Sequence, residues 1–269
     1  MRGCRQTNPP MNDSSPLPIV PKPAPWIGRD RKSPQFYQGL RMKTDTHLHQ
    51  QLEGMIGRLV PPAAPAGPRA RVLDLGCGEG ALSKRLVDQG YEVLAVDRDP
   101  ARFRADGADF VSLDLDDPAA TGRFVDEHQG RFELILAIEV IEHLQSPWAF
   151  LAACRRLCRP DTHLILTTPN VGSWWSRLWF LLTGDLWGFG PESWDEPGHK
   201  SPLPAATMRG MLRECGLECL GVTPAGCLPI LWTYNWKRLL ASLLMLPLRC
   251  LMRGEKDGWV LCYHAKPAA

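Results

Sequence analysis

The stretch Arg71-Val72-Leu73-Asp74-Leu75-Gly76-Cys77-Gly78-Glu79-Gly80 decides how the chain is read. Val72, Leu73 and Leu75 form an apolar run suited to a strand buried on both faces. Gly76, Gly78 and Gly80 then permit positive φ and a close backbone approach to a ligand. Ala81 to Leu86 open a helix whose free N–H groups and positive dipole end favour an anion at the turn. Strand, glycine turn and helix in that order predict a nucleotide-binding unit, and Gly76-x-Gly78-x-x-Ala81 also satisfies the loose dinucleotide pattern.

Working outward, Tyr91 to Asp97 is an apolar strand ending in an acid about twenty residues past the turn, where a carboxylate can accept hydrogen bonds from both hydroxyls of a ribose. Asp99-Pro100 predicts the start of a helix, Asp as cap and Pro at its first position. A short strand, Asp109 to Leu113, runs into Asp114-Leu115-Asp116-Asp117, where Asp116 or Asp117 is placed to cap a helix around Ala119 to Glu127. Phe132 to Ile138 is the most apolar strand and delivers Glu139-Val140-Ile141-Glu142-His143-Leu144 at its carboxyl end, where open parallel sheets bind ligands. Spaced i, i+3 and i+4, Glu139, Glu142 and His143 would share one face of a helical turn. Two carboxylates and an imidazole so placed call for a positive group between them, and a divalent cation is the simplest.

The tighter pattern Asp74-x-Gly76-x-Gly78-x-Gly80, followed by Asp97, resembles motif I of the class I methyltransferases that use S-adenosylmethionine. The likeness extends from about Ser33 to His264. It implies an α/β fold, a Rossmann-like, seven-stranded, mostly parallel sheet with helices on both faces, and S-adenosylmethionine as cofactor. It further implies a cofactor site of Asp74, Gly76, Cys77, Gly78, Gly80, Asp97, Arg98, Asp114, Leu115, Ile138 and Glu139, with Asp97 on the ribose and Asp114 receiving the adenine amino group. Glu139-x-x-Glu142-His143 is similar to two subgroups, the O-methyltransferases of ubiquinone biosynthesis and the 2′-O-methyltransferases that modify the 3′ end of small RNAs. The second implies a divalent cation such as Mg held by Glu139, Glu142, His143 and His199, although a long Trp-rich insertion before His199 departs from that subgroup. One ligand set cannot both hold a cation and supply a base. The expectation adopted here is catalysis by His143, with Glu142, as base or acceptor-orienting group.

The expected activity is methyl transfer to oxygen of an apolar, phenolic or lipid-linked small molecule. The rivals are RNA 2′-O-methylation and a cofactor-binding scaffold without turnover. In 269 residues the net charge is only +2, which argues against nucleic acid as a partner. Nine cysteines, an odd number with no signal-like apolar segment ahead of them, predict a reducing, cytoplasmic setting. Cys154 with Cys158 and Cys215 with Cys219 are spaced four apart, not as the usual C-x2-C zinc ligands, and read as core.

Residues 1–32 are Pro-rich and read as a disordered tail, in which Met11 fits as an alternative start. Residues 33–269 form the domain. Phe36, Leu40, Leu48, Leu52, Met55, Ile56 and Leu59 fall at helical spacing, and the resemblance implies that helices placed there lid the cofactor pocket, with His47 and His49 as lid histidines. Residues 171–200 carry Trp174, Trp175, Trp179, Trp187 and Trp194 and predict an aromatic cap roofing an apolar acceptor pocket. In residues 230–254, Arg238, Ser242, Arg249 and Arg253 share one helical face with leucines elsewhere, while the apolar run Leu239 to Leu248 is too short to cross a bilayer. This amphipathic insertion reads either as a peripheral membrane contact or as a homodimer or core helix.

Overall fold

The computed structural model describes residues 27–28, 35–45, 47–62, 67–196 and 198–268. Most of the Pro-rich stretch, Met11 included, lies outside the described residues; within it Ile27–Gly28 pair in parallel with Leu231–Trp232.

Seven strands form one sheet: β1 (Arg71–Leu75), β2 (Glu92–Asp97), β3 (Asp109–Ser112), β4 (Leu134–Ile138), β5 (His163–Pro169), β6 (Leu217–Ala225) and β7 (Val260–Pro267), in the order β3-β2-β1-β4-β5-β7-β6. All neighbours are parallel except β7, which runs antiparallel to both β5 and β6. The chain order reverses between β1 and β4, the switch point at which such sheets open a crevice for ligands. Register brings the carboxyl ends level there, with Leu75 opposite both Val96 and Ala137 and Ile138 opposite Thr167.

The central strands β1, β4 and β5 are largely buried and apolar because each is covered on both sides, whereas the edge strands β3 and β6 are only partly covered. Along β4 alternate residues part ways. Leu134, Leu136 and Ile138 join Leu48, Leu52, Met55 and Ile56 of α1 (Leu48–Leu59) and Leu82 and Leu86 of α2 (Ala81–Asp88). Ile135 and Ala137 face the opposite core, shared with α3 (Pro118–His128), α4 (Pro147–Leu157) and α7 (Ala205–Glu214). Between β5 and α7 lie α5 (Trp174–Thr183) and the short α6 (Pro191–Asp195), and α8 (Trp236–Leu248) precedes β7. Cys154 and Cys158 are buried in one core, Cys215 and Cys219 pack half-buried against it, and burial of Cys262 in the other core pushes its thiol up to about 12.

Two predicted helices are absent. From Gln35 the chain does not run as a continuous lid helix; Gln35–Tyr37 and Leu40–Met42 make an antiparallel hairpin before α1. Gln38 and Gly39 both take left-handed backbone (φ 48° and 83°), as a two-residue hairpin turn demands, and Leu40 and Met42 alternate inward around exposed Arg41. The hairpin is latched over the motif helix: Tyr37 and Gln38 donate to Asp88, and the Arg41 N–H donates to Glu79. After Asp99-Pro100 only a single turn forms, with Ala101 and Arg102 N–H bonded back to Asp99. The chain then leaves to stack Phe103 on Phe110 (4.5 Å) and set Ala105 under the glycine turn. Asp117, not Asp116, caps α3, accepting from Ala119 and Ala120.

The turn after β1 is left-handed at Gly76, Gly78 and Gly80 (φ 74°, 57° and 85°). A Cβ on Gly76 would run into Val140 Cγ2, and one on Gly80 would lie 2.6 Å from Ala105 Cβ, whereas one on Gly78 would meet nothing within 4 Å. Gly76→Ala should therefore cost both the left-handed penalty of about 1–2 kcal/mol and an overpacking penalty of about 1–3 kcal/mol, and Gly78→Ala only the former. Urea unfolding of the two variants distinguishes them; equal losses would contradict the packing.

At the amino end of β5, away from the glycine turn, His163 Nδ1 lies 2.8 Å from His264 Nε2 on the neighbouring β7, with the rings nearly parallel. Burial lowers both to about 4, helped by Lys266 and, for His264, by His163, while Asp161 opposes the shift on His163. The unfolded chain takes up these protons near the ordinary histidine value, about 6.5, and the folded chain only near 4, so this pair withdraws stability as pH falls between those limits. Across that interval wild type should lose more stability than His264→Gln in chemical denaturation; parallel curves would refute this.

Candidate functional site

The turn is fixed from below by β2. Gly76 and Cys77 N–H both donate to the Val96 carbonyl, and Gly78 N–H donates to Asp97 Oδ2 at 2.8 Å. Asp97 Oδ1 accepts Asp99 N–H at 3.2 Å. A carboxylate has about four lone-pair positions, so Asp97 secures the turn and still presents acceptors at the strand end. Asp74 sits differently. It is 2% exposed, accepts a 2.6 Å bond from Ser83 of α2, and is raised to about 6 by burial with Asp97 adding to it. It therefore ties β1 to α2 underneath the turn. Cys77 is half-buried in the turn, and burial raises its thiol. Arg98 is exposed next to Asp97; Asp114 is exposed after β3 and accepts Asp116 N–H; Leu115 packs against the core. Ile138 closes β4 at 8% exposure.

Glu139 to His143 do not form the single α-helical turn expected. Glu139 is left-handed (φ 57°), its N–H bonded to the Thr167 carbonyl and hydroxyl, and only Ile141–His143 wind, as one 3-10 turn. β5 thus competes for the first residue of the predicted helix. Glu142, His143 and His199 nevertheless converge, one ligand atom from each lying within 4.8 Å of the others. Among the described residues this group excludes Glu139, so the predicted four-ligand set meets as three. Glu139 remains near enough to raise the Glu142 carboxyl.

Glu142 is fully buried. Burial, with Glu139 second, raises its carboxyl well above the usual range, and neither oxygen has a hydrogen bond of ordinary geometry although Thr168 adjoins it. His143 Nδ1 is 3.1 Å from the Gly198 carbonyl, and His199 Nδ1 is 2.7 Å from that of Gly188. A carbonyl only accepts, so Nδ1 carries a proton in both rings, and a ring in its neutral form has its lone pair at Nε2. The rings lie 4.9 Å apart. Burial, then His199, Arg98 and Lys200, keep His143 neutral below the ordinary histidine value, against a smaller opposing pull from Gly198. The donor set of one carboxylate and two imidazole Nε2 atoms fits a divalent cation as well as a base.

The second histidine arrives because the loop after α6 hooks onto the 3-10 turn. Lys200 and Ser201 N–H donate to the Glu142 carbonyl, and Ser201 Oγ donates to that of Leu144. Asp116 fastens the other side, accepting Gln145 N–H. The Trp-rich cap packs mainly on itself: Trp174 and Trp175 are buried with Trp232 and Met245, and Trp187 lies edge-on to Trp175 and against Trp259. Phe189 is the cap residue that borders the site, 5.2 Å from the His199 ring. Ser83, Thr168 and the carbonyls of Gly188 and Gly198 were not readable as site components, whereas Phe189 belongs to the aromatic stretch expected to roof the pocket. His47 caps α1 on exposed, left-handed backbone, while His49 is buried and lowered to about 4 by burial and Arg85.

A family model described as a methyltransferase domain matches residues 46–222. A ubiquinone biosynthesis O-methyltransferase of Cereibacter sphaeroides is 33% identical over 128 residues, covering 40% of this chain and 49% of that protein. Another, of Xanthomonas oryzae, is 36% identical over 110 residues, covering 38% and 44%. The chain spans about half the length of the curated relatives it matches. Among solved structures, a SAM-dependent methyltransferase from Archaeoglobus fulgidus gives a TM-score of 0.52 at 16% identity, covering 81% of this chain and 94% of that one. A Burkholderia thailandensis 1,6-didemethyltoxoflavin-N1-methyltransferase with bound S-adenosylhomocysteine gives 0.51 at 15% identity, covering 82% and 78%. At such identities the likeness establishes the fold. The matched segment holds every candidate site residue, and the chain belongs to the family of methyltransferase domains, with the class I methyltransferase fold.

Proposed function

We propose that the chain is an S-adenosylmethionine-dependent O-methyltransferase acting on an apolar, phenolic or lipid-linked small molecule. The observation that carries this reading is the His143 lone pair at Nε2, held by the Gly198 carbonyl beside a glycine turn whose middle position opens into free space. The names of the matched relatives support oxygen as the acceptor atom. Asp97 would hold the ribose, the turn and the α2 N-terminus the carboxylate end, and Asp114 and Leu115 the adenine. When bound, S-adenosylmethionine would supply an electrophilic methyl carbon to the acceptor oxygen, the C–S bond breaking as S-adenosylhomocysteine leaves as a neutral thioether.

The chain's part is alignment and proton removal. His143 Nε2 takes the acceptor hydroxyl proton, and Phe189 with the cap excludes water from one side. A cation held by Glu142, His143 and His199 is the second reading, favoured by the buried Glu142 oxygens; it would polarise the acceptor oxygen in place of the base.

Asp97→Ala should weaken S-adenosylhomocysteine binding at least tenfold by calorimetry; unchanged affinity would remove the cofactor assignment. His143→Gln should leave that affinity intact while lowering kcat by about 10²–10⁴, the usual worth of a general base. Dialysis against chelator should leave the rate unchanged, and a loss restored by added Mg would install the second reading. Mass spectrometry of a cell extract given enzyme and isotopically labelled cofactor would name the acceptor. Label in RNA digests would replace the small molecule, and binding without any labelled product would mark a scaffold.

A further inference from the structure

For residues 230–254 the sequence leaves a peripheral membrane contact and a homodimer or core helix both open, and the fold adds which face of the helix is turned inward. The polar stripe of α8 faces inward: Ser242 is 1% exposed and bonds to the Trp232 N–H, Arg249 is buried and paired with Asp257, and Arg238 lies 3.7 Å over the Trp232 ring. The leucines face out. Leu240, Leu243, Leu244 and Leu248 are each about half exposed or more, Leu251 is 79% exposed, and Trp236 stands at the entry at 70%. α5 packs beside α8 through Trp175, Leu178, Ala241 and Met245 and presents Phe180, Leu181 and Leu182 outward as well. Of the fifteen large apolar residues exposed among those described, thirteen lie from Phe180 to Leu251. A patch of this concentration marks an interaction surface.

We propose that this face docks on an anionic lipid bilayer, with α8 lying in the interface. Residues 219–254 contain Lys237, Arg238, Arg249 and Arg253 and no acid. Lys237 and Arg253 are exposed at either end of the leucine row. Basic residues flanking leucines with a tryptophan at the edge match the charge order of a lipid surface, headgroup outside and acyl chains beneath. No described helix is long and apolar enough to cross a membrane, and the thirteen residues of α8 span about 20 Å, against the roughly 30 Å of hydrocarbon, so it lies flat. A second copy fits less well. Two-fold symmetry would set this acid-free, basic segment against itself, a like-charge juxtaposition. The inference stands without the methyl-transfer reading. If both hold, the docked face lies beside the cap whose Phe189 borders His199, and an apolar acceptor enters from the bilayer.

The test is co-sedimentation of the full chain with vesicles of phosphatidylcholine containing a third phosphatidylglycerol. The wild type should bind, and Leu244→Glu with Leu251→Glu should bind at least tenfold more weakly while S-adenosylhomocysteine affinity stays unchanged. Lys237→Glu with Arg253→Glu should abolish the preference over pure phosphatidylcholine. Hydrogen exchange of the wild type should show residues 236–253 protected by vesicles. No sedimentation of wild type, protection elsewhere only, or a stable dimer dispersed by the leucine variants without lipid binding would each overturn the proposal.

Discussion

The contact on which the site depends is the one between Gly76 and Val140. The turn after β1 must reverse under left-handed backbone at the point where the segment leaving β4 crosses it, and the room a Cβ would need at Gly76 is taken by the Val140 side chain. This is a packing constraint before it is a binding one. It seats the nucleotide turn against the residue that precedes the Ile141–His143 turn, so two functions adjacent in space but far apart in sequence share one steric joint. Gly80 repeats the device against Phe103 and Ala105, while Gly78, with open space beside it, keeps the ligand side clear. One motif thus uses glycine for two physical reasons, close packing at its ends and access in the middle.

A second joint closes the acceptor side by backbone bonding. The Glu142 carbonyl accepts two N–H groups from the loop that carries His199, and in return Gly198 orients His143 while Gly188 orients His199. Each imidazole is aimed by a carbonyl from the cap loops and not by its own element. Charge makes the arrangement consequential. Glu142, buried without ordinary hydrogen bonds beside Glu139, is driven toward its neutral form, while burial and the neighbouring His199 disfavour the protonated form of His143. The charged forms of both groups are thus disfavoured. That state is primed either for proton transfer or for a cation that would ionise the carboxyl.

What the amino-acid pattern disclosed follows from how local each signal is. β1, its glycines, α2 and Asp97 were legible because strand burial, positive φ and acid placement are all written within one βα unit. The hairpin at Gln35–Met42 was not, since Phe36, Leu40 and Leu48 fall at helical spacing by coincidence and the turn chemistry of Gln38-Gly39 is weaker than an Asn-Gly signal. The role of Asp74 was hidden because an acid near a binding turn invites a ligand reading, whereas its partner, Ser83, lies nine residues on and becomes a neighbour only once α2 folds back. The helical turn expected for Glu139 to His143 lost to β5, whose Thr167 takes the Glu139 N–H, a competitor invisible at sequence range.

The inverted helix α8 shows the same limit in energetic terms. Spacing reveals that a helix has two faces, but not which is turned inward, because the rule that leucines go inside presumes that the polar face has no better partner. Here it has several. Arg238 finds the Trp232 ring, Ser242 the Trp232 backbone and Arg249 the Asp257 carboxylate. Aromatic rings reward a guanidinium with cation attraction and with burial of its aliphatic stem, so a Trp-rich cap recruits arginine where an aliphatic core would expel it. The tryptophans that suggested a roof over substrate thereby account for the outward leucines: having taken the basic stripe as their packing partner, they leave the apolar stripe to be covered from outside.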